Sequence, residues 1–250
     1  MNIGIVIQAR MGSTRLPGKI LKPFHGKKVL LEIILENLHR IKDVKIVIAT
    51  STDINNDKLE CFLREKNELV YRGSENDVLE RFIMAAETYH IDGIVRICSD
   101  NPFIDWHGIT QLIEKAKNSD ADYIGFRIND TPSILTHFGF WGEYVTLSAL
   151  KRVYATTKPG SLAHEHVTFH VYNHPIEYKC DWIGCPEFLQ GRNDIRLTID
   201  TEEDLLNAQE VYAHLKEECG DFTLQNVIEY IDKNEDLRES MKKNVLKNRK

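Results

Sequence analysis

Arg10, Arg15 and Lys19 place three cations within ten residues, with Gly12, Ser13, Thr14 and Gly18 between them. Residues of these types can grip phosphate. The cations neutralise phosphate oxygens, and backbone N–H groups freed at the glycines can form a concave anion nest. The stretch follows directly on Ile3-Gly4-Ile5-Val6-Ile7, an apolar run that reads as a buried parallel strand. A loop at the C-terminal end of such a strand lies on the edge where open α/β sheets bind ligands. Two familiar phosphate loops do not fit. A Walker A loop needs four residues between its glycines and a Ser or Thr after its Lys; here five separate Gly12 from Gly18, and Ile20 follows Lys19. Gly12 also lacks the partner glycines of a dinucleotide fingerprint. The loop reads as a polyphosphate site of another kind rather than a solvated basic turn.

Chemistry on a polyphosphate requires neutralisation of charge at the transferring group, and Mg²⁺ held by carboxylates supplies it. Asp100 follows the apolar run Gly93-Ile94-Val95-Arg96-Ile97-Cys98, and Asp200 follows Ile195 to Ile199, read here as a strand returning to the sheet. Both aspartates are therefore predicted on the edge that carries the first loop. By position alone each serves equally well as the cap of the next element. A third cluster holds His164, Glu165, His166, His170 and His174. Val167, Phe169 and Val171 alternate with polar residues there, which predicts a strand with its histidines on one face rather than a helical zinc site. Glu165 and His166 then read as hydrogen-bonding groups, or a proton acceptor, for a second substrate.

The run Ala9-Arg10-x-x-Ser13-Thr14-Arg15-Leu16-Pro17-Gly18-Lys19 resembles the signature loop of the sugar cytidylyltransferases, the group that activates Kdo and sialic acids. Three later segments carry the same resemblance: Arg72 to Arg81, Glu165-His166-Val167-Thr168, and Arg196-Leu197-Thr198-Ile199-Asp200-Thr201 with Glu203-Asp204-Leu205. Gln8 and Met11 replace the Pro and Tyr common in the Kdo enzymes, and the closest similarity is to the spore-coat polysaccharide (SpsF-type) branch. The resemblance implies an Mg²⁺-dependent cytidylyltransferase that moves CMP from CTP to a sugar or sugar-acid acceptor for a surface polysaccharide. It implies catalytic roles for Arg10, Arg15, Lys19, Asp100 and Asp200, with the two aspartates as metal ligands. It adds Ala9, Gly12, Ser13, Thr50, Ser51, Arg72, Ser74 and Asp77 to the nucleotide pocket, and Glu143 to Glu165 and His166 in the acceptor pocket. A homodimer is implied as well. Gly142, Tyr144 and His164 depart from the usual pattern around the acceptor residues. Two other readings keep the same loop: a glycosyltransferase of similar fold using a nucleotide-sugar, and a nucleotide-binding protein without turnover.

These residues need a scaffold, and the sequence supplies one. Helical periodicity predicts helices over 28–41, over 54–66 behind an Asp53 cap, and over 77–90. Strands are predicted at 44–49, 69–71 and 93–98. Such alternation gives a doubly wound, mostly parallel sheet covered by helices on both faces. Residues 131–182 mix short extended pieces with aromatics and a helix near 147–155, and read as a small β-rich subdomain; the resemblance implies that it receives the acceptor and contributes to dimerisation. Thr201 followed by three acids predicts a well-capped helix. Residues 1–240 thus form one domain, and 241–250 read as a basic flexible tail.

Composition sets the outer bounds. The chain has 250 residues, 42% of them apolar, enough for one α/β domain with a substantial core. Its net charge of −6 argues against a general nucleic-acid surface. No apolar run approaches the ~20 residues of a membrane span, and no secretory leader precedes the first strand. Five cysteines without paired C-x-x-C spacing fit free thiols in a reducing cytoplasm.

Overall fold

The structure, a computed structural model, describes residues 1–248. Its elements in chain order are β1 (Ile3–Gln8), β2 (Pro23–His25), β3 (Lys28–Val29), α1 (Leu30–Leu38), β4 (Lys45–Ser51), α2 (Asp57–Glu65), β5 (Leu69–Gly73), α3 (Val78–Thr88) and β6 (Gly93–Cys98). The second half adds α4 (Trp106–Lys117), β7 (Tyr123–Ile128), β8 (Thr131–Pro132), β9 (Glu143–Thr146), α5 (Leu147–Thr156), α6 (Leu162–Glu165), α7 (Phe169–Asn173), β10 (Cys180–Gly184), α8 (Glu202–Cys219), α9 (Leu224–Lys233) and α10 (Glu235–Lys247).

One sheet runs in the order β10-β7-β9-β6-β1-β4-β5, with β8 paired to β7. The pairs β1–β4, β1–β6, β4–β5 and β7–β10 are parallel, and β9 runs antiparallel between β6 and β7. The chain moves outward from β1 through β4 to β5, then crosses back to lay β6 on the other side of β1. The order reverses between β1 and β6, so the loops after these two strands flank the crevice where such sheets bind ligands. This is the predicted mostly parallel sheet flanked by helices.

Buried apolar residues explain the layers. Ile5 and Ile7 face a core shared with α1, α4 and α8, whereas Val6 faces a second core with α3, α5 and α7. All three are 0% exposed, each worth about 1.5–3 kcal/mol of hydrophobic stabilisation. Asp77 caps α3 by accepting from Glu80 N, and Asp53 caps the turn before α2 by accepting from Asn55 N. Thr201 and Asp204 close a reciprocal capping box at α8.

Several sequence expectations are corrected. The helix predicted from residue 28 begins at Leu30, because Lys28–Val29 pairs with Pro23–His25 in a small hairpin. Ile195 to Ile199 is not a sheet strand. Leu197 N and Thr198 N both donate to His137 O, and Ile199 N donates to Asp100 O, so its partners are loops. Within 131–182, β9 and the start of β10 join the central sheet, and α6 and α7 add helices beyond the one expected near 147–155, which is α5. The strand predicted through Val167 to Val171 does not form: Val167 and Thr168 make a turn between α6 and α7, with Val167 at φ +25°, and α7 begins at Phe169. The adjacent pairs Ala163–His164 and Val167–Thr168 are buried together with Val171, a pattern that strict alternation cannot produce. The basic C-terminal stretch, expected to be a flexible tail, continues α10 to Lys247, with Met241 and Asn244 buried; its last two residues, 249 and 250, lie outside the described residues. No helix among the described residues is long and apolar enough to cross a membrane.

Candidate active site

The loop after β1 is folded on itself by one carbonyl. Met11 O accepts from Ser13 N at 3.0 Å and from Gly18 N at 2.9 Å, and Gly18 takes the left-handed conformation (φ +66°) that this closure requires. The Gly18 N–H is therefore spent within the loop, which corrects the expectation of a nest there. Leu16 and Ile20 anchor the loop in the core. Asn56 fixes its start by accepting from Met11 N at 2.8 Å, and Asn56 in turn donates to Ser51 Oγ at 2.7 Å. What the loop presents outward is side chains. Arg10, Ser13, Thr14, Arg15 and Lys19 line a cleft of about 290 Å³, with Gln8, Arg96, Cys98, Ser99, Asp100 and Asp200 completing its wall.

Lys19 is the centre of this cleft. Its ammonium lies 3.4 Å from Asp100 Oδ2 and 3.3 Å from Asp200 Oδ1, and it donates to Ile199 O. Arg15 approaches the same Asp200 oxygen at 3.2 Å and donates to Asn248 Oδ1 at 2.7 Å. Arg10 stands apart, 3.8 Å from Glu75 and half exposed. Asp200 is held from behind by Arg196, which donates to its Oδ2 at 2.9 Å and grips Asp204 at 2.7 and 3.0 Å. Burial opposes the charged form of Lys19, but the nearby Asp100 and Asp200 carboxylates outweigh it and raise its pKa. Burial likewise opposes ionised Asp200, and Lys19, Arg15 and Arg196 pull its pKa below the usual carboxylate value.

The signs of these shifts set a pH window. Asp200 stabilises the fold above about pH 4, and that share is lost as pH falls through its lowered folded pKa. Lys19 contributes below about pH 10, and its share is lost as pH rises through its raised folded pKa. The difference in urea midpoint between the wild type and Asp200→Asn is therefore expected to stay constant from about pH 5 to 9, and to shrink at more acid pH as Asp200 protonates and at more alkaline pH as Lys19 loses its proton.

Asp100 and Asp200 suit a hard divalent cation. Among the described residues no group of three or more His, Cys, Asp or Glu is placed to hold a metal. The site instead offers two carboxylates already converging on one cation, the Lys19 ammonium. Two carboxylates completed by water and substrate phosphates are the usual holding of Mg²⁺.

The other sequence-predicted residues fall into three groups. Gly12 is exposed in the loop, and Ala9 is buried with its N–H donated to Ala49 O. Thr50 and Ser51 are fully buried, and Ser51 supports the loop from beneath through Asn56. Arg72 turns away from the cleft: it donates to Ser51 O, Asp53 O and Glu60, and pairs with Asp57, because α2 offers it these acceptors. Ser74 Oγ accepts from Asp77 N, and Asp77 caps α3 while bonding His164 Nδ1 at 2.6 Å. Glu143, expected in the acceptor pocket, is 1% exposed and bonded to Arg96, Tyr123 and Thr168. Burial beneath α7 withdraws it from any direct contact. Glu165 and His166 are exposed on the α6 side and do not line the cleft.

Arg72→Met is expected to lower stability by about 1–3 kcal/mol, the worth of a charged hydrogen-bond cluster, and to leave inorganic tripolyphosphate affinity within about twofold. Urea unfolding and calorimetric titration check the two halves.

Sequence reasoning missed Gln8, Thr14, Arg96, Cys98, Ser99, Asn56 and the Arg196 clamp. Arg96 and Arg196 did leave a signal. Each is a charge inside an apolar run, and a buried charge demands a partner.

A switch-point crevice with a cationic loop and two facing carboxylates suits nucleotidyl transfer on an α/β fold. The profile of the cytidylyltransferase family matches residues 4–248, and the chain belongs to that family. It is 33% identical over 243 residues to the spore coat polysaccharide biosynthesis protein SpsF of Bacillus subtilis, covering 94% of this chain and 96% of that protein. A cytidylyltransferase from Leptospira borgpetersenii superposes with a TM-score of 0.83 at 31% identity, over 96% of this chain and 97% of that one. A CMP-2-keto-3-deoxy-manno-octonic acid synthetase complexed with CTP shares the fold at a TM-score of 0.63 and 14% identity, over 86% of this chain and 99% of that one.

Proposed function

We propose that this enzyme transfers CMP from CTP to a sugar or sugar-acid acceptor, with release of pyrophosphate and dependence on Mg²⁺, in the making of a surface polysaccharide. The observation that carries the reading is the convergence of Lys19 and Arg15 on Asp200, with Asp100 on the other side of Lys19, at the switch point of the sheet. Such a site can neutralise both a transferring phosphoryl group and its leaving group.

The acceptor oxygen attacks the α-phosphorus in line, and where it is a hydroxyl its proton passes to water. A new O–P bond forms, the bond to the β-phosphate oxygen breaks, and pyrophosphate carries the electron pair away. Arg10, Arg15 and Lys19 hold the β- and γ-phosphates and balance the charge that grows on the departing pyrophosphate. The Ser13 hydroxyl adds a neutral donor from the same loop. Asp100 and Asp200 would hold the metal, which supplies charge neutralisation at the α-phosphate. Arg196 keeps the Asp200 carboxylate turned into the cleft.

The test is pyrophosphate release with CTP, Mg²⁺ and a panel of sugar acids, sugar phosphates and neutral sugars. CTP-dependent release with one acceptor class, and a CMP adduct of matching mass, is the expected result. Transfer from a nucleotide-sugar, with no release from CTP, overturns it.

A further inference from the structure

Arg96 is a cation in the middle of a central strand, and the reaction as written gives it nothing to do. The β-register sets it opposite Val6 on one side and Glu143 on the other. Its Nη1 donates to Glu143 Oε2 at 2.7 Å, its Nε is buried without a partner, and its Nη2 reaches only Gln8 Oε1, at 3.3 Å. Glu143 is itself locked, accepting from Tyr123 OH at 2.7 Å and from Thr168 Oγ1 at 2.9 Å. One side of the guanidinium is thus rigidly held. The other lines the cleft, although the side chain is only 8% exposed.

A purely structural role for this pair explains too little. Apolar residues of similar volume fill a buried position at least as well as an ion pair does. The pair instead delivers a charged donor, with one long hydrogen bond, to the floor of a polar cleft. Its side also matters. Arg96 shares its sheet face with Val6 and Ile94, whose core includes Val167 and Val171, whereas Leu16, Ile20, Leu197 and Ile199 beside the Lys19 centre belong to the opposite core. Arg96 therefore faces the cleft from the side away from the phosphate loop.

We propose that Arg96 binds an anionic group of the acceptor, a carboxylate or a phosphate, and that Glu143, Tyr123 and Thr168 are the residues that position it. A guanidinium with one side fixed and the other held by a single long bond to Gln8 is a preorganised fork for such a group. The word acceptor rests on the nucleotidyl-transfer reading given above; the anion site itself does not.

Cys98 provides a probe that needs no turnover. It lies two residues beyond Arg96 on the same strand face and lines the same cleft. Its thiolate displaces iodide from iodoacetate, an anion, or from iodoacetamide, its neutral analogue. The ratio of the two rates, followed on the Cys98 peptide by mass spectrometry, cancels any change in the thiol itself. R96Q and the charge-balanced double variant R96Q/E143Q are expected to lower that ratio about fivefold or more, as loss of a desolvated charge partner should. Glucose 6-phosphate or gluconate is expected to protect Cys98 in the wild type but not in the variants, while the dissociation constant for Mg²⁺–CTP stays within about twofold. E143Q keeps the Arg96 charge but frees its orientation, and is expected to lower the ratio by a smaller factor. An unchanged ratio in both R96Q and R96Q/E143Q overturns the proposal. So does a roughly tenfold loss of CTP affinity without loss of protection, which makes the bound anion the triphosphate. Absence of pyrophosphate release from CTP would sink the transferase reading and leave the labelling result standing.

Discussion

Asp200→Asn is expected to slow CTP-dependent pyrophosphate release by about 10²–10³-fold while the protein stays folded. The substitution keeps the shape of the side chain and an oxygen for Arg196 to bond. It removes the charge that faces Lys19 and Arg15, so what is lost is electrostatic and local. The neighbouring carboxylate behaves in the opposite way. Asp204 is 2% exposed, accepts two bonds from Arg196 and caps Asp200 N and Thr201 N. Neutralising it leaves the Arg196 guanidinium buried and under-compensated, a change that costs about 3–5 kcal/mol. Asp204→Asn should therefore appear first as a fall in the urea midpoint, and Asp200→Asn as a fall in kcat. If Asp200→Asn instead loses stability and keeps full turnover, Asp200 is a structural cap and the proposed centre is wrong.

How far the sequence carried this site can be traced residue by residue. Elements with a single dominant period were legible: β1 and β6 read as continuous apolar runs, and both emerged within a residue of expectation. Lys19 and Asp100 were legible because their loops leave β1 and β6, whose shared direction brings them to one edge; Asp200 reaches that edge through loop bonds instead, with Ile199 N donating to Asp100 O. Directions of side chains were not legible. Arg72 sits at the C-terminal end of β5, but its guanidinium follows the nearest acceptors, which α2 supplies on the far side. Glu143 entered the acceptor pocket through the family resemblance alone, and its cross-strand partner Arg96 holds that carboxylate inward. The alternation around Val167 to Val171 is broken by a turn at Val167–Thr168, fixed where α6 packs on α3 and α7 on α5. The errors share one cause. Each depends on a contact between residues far apart in the chain, which local pattern does not encode.

Lys19→Met is expected to move two observables in opposite directions. In the free protein the Lys19 ammonium occupies the space between Asp100 and Asp200, contacting both. A divalent cation that takes those carboxylates must displace it, and a bound triphosphate would give the displaced ammonium a new partner. Metal and nucleotide binding are then linked through the exchange of one cation for another, and such linkage is reciprocal. Removing the ammonium leaves the two carboxylates without their occupant, so Mn²⁺ should bind the nucleotide-free variant about tenfold more tightly than the wild type, a coupling of about 1–2 kcal/mol. Turnover should fall by about 10²–10³-fold, because the same charge no longer meets the departing pyrophosphate. Mn²⁺ binding followed by electron paramagnetic resonance, beside pyrophosphate release at saturating metal, separates the two effects. A variant that binds Mn²⁺ more weakly without nucleotide would mean that Lys19 helps to assemble the carboxylate pair rather than to guard it. Opposite signs from one substitution are hard to obtain from general damage to the fold, since unfolding lowers both.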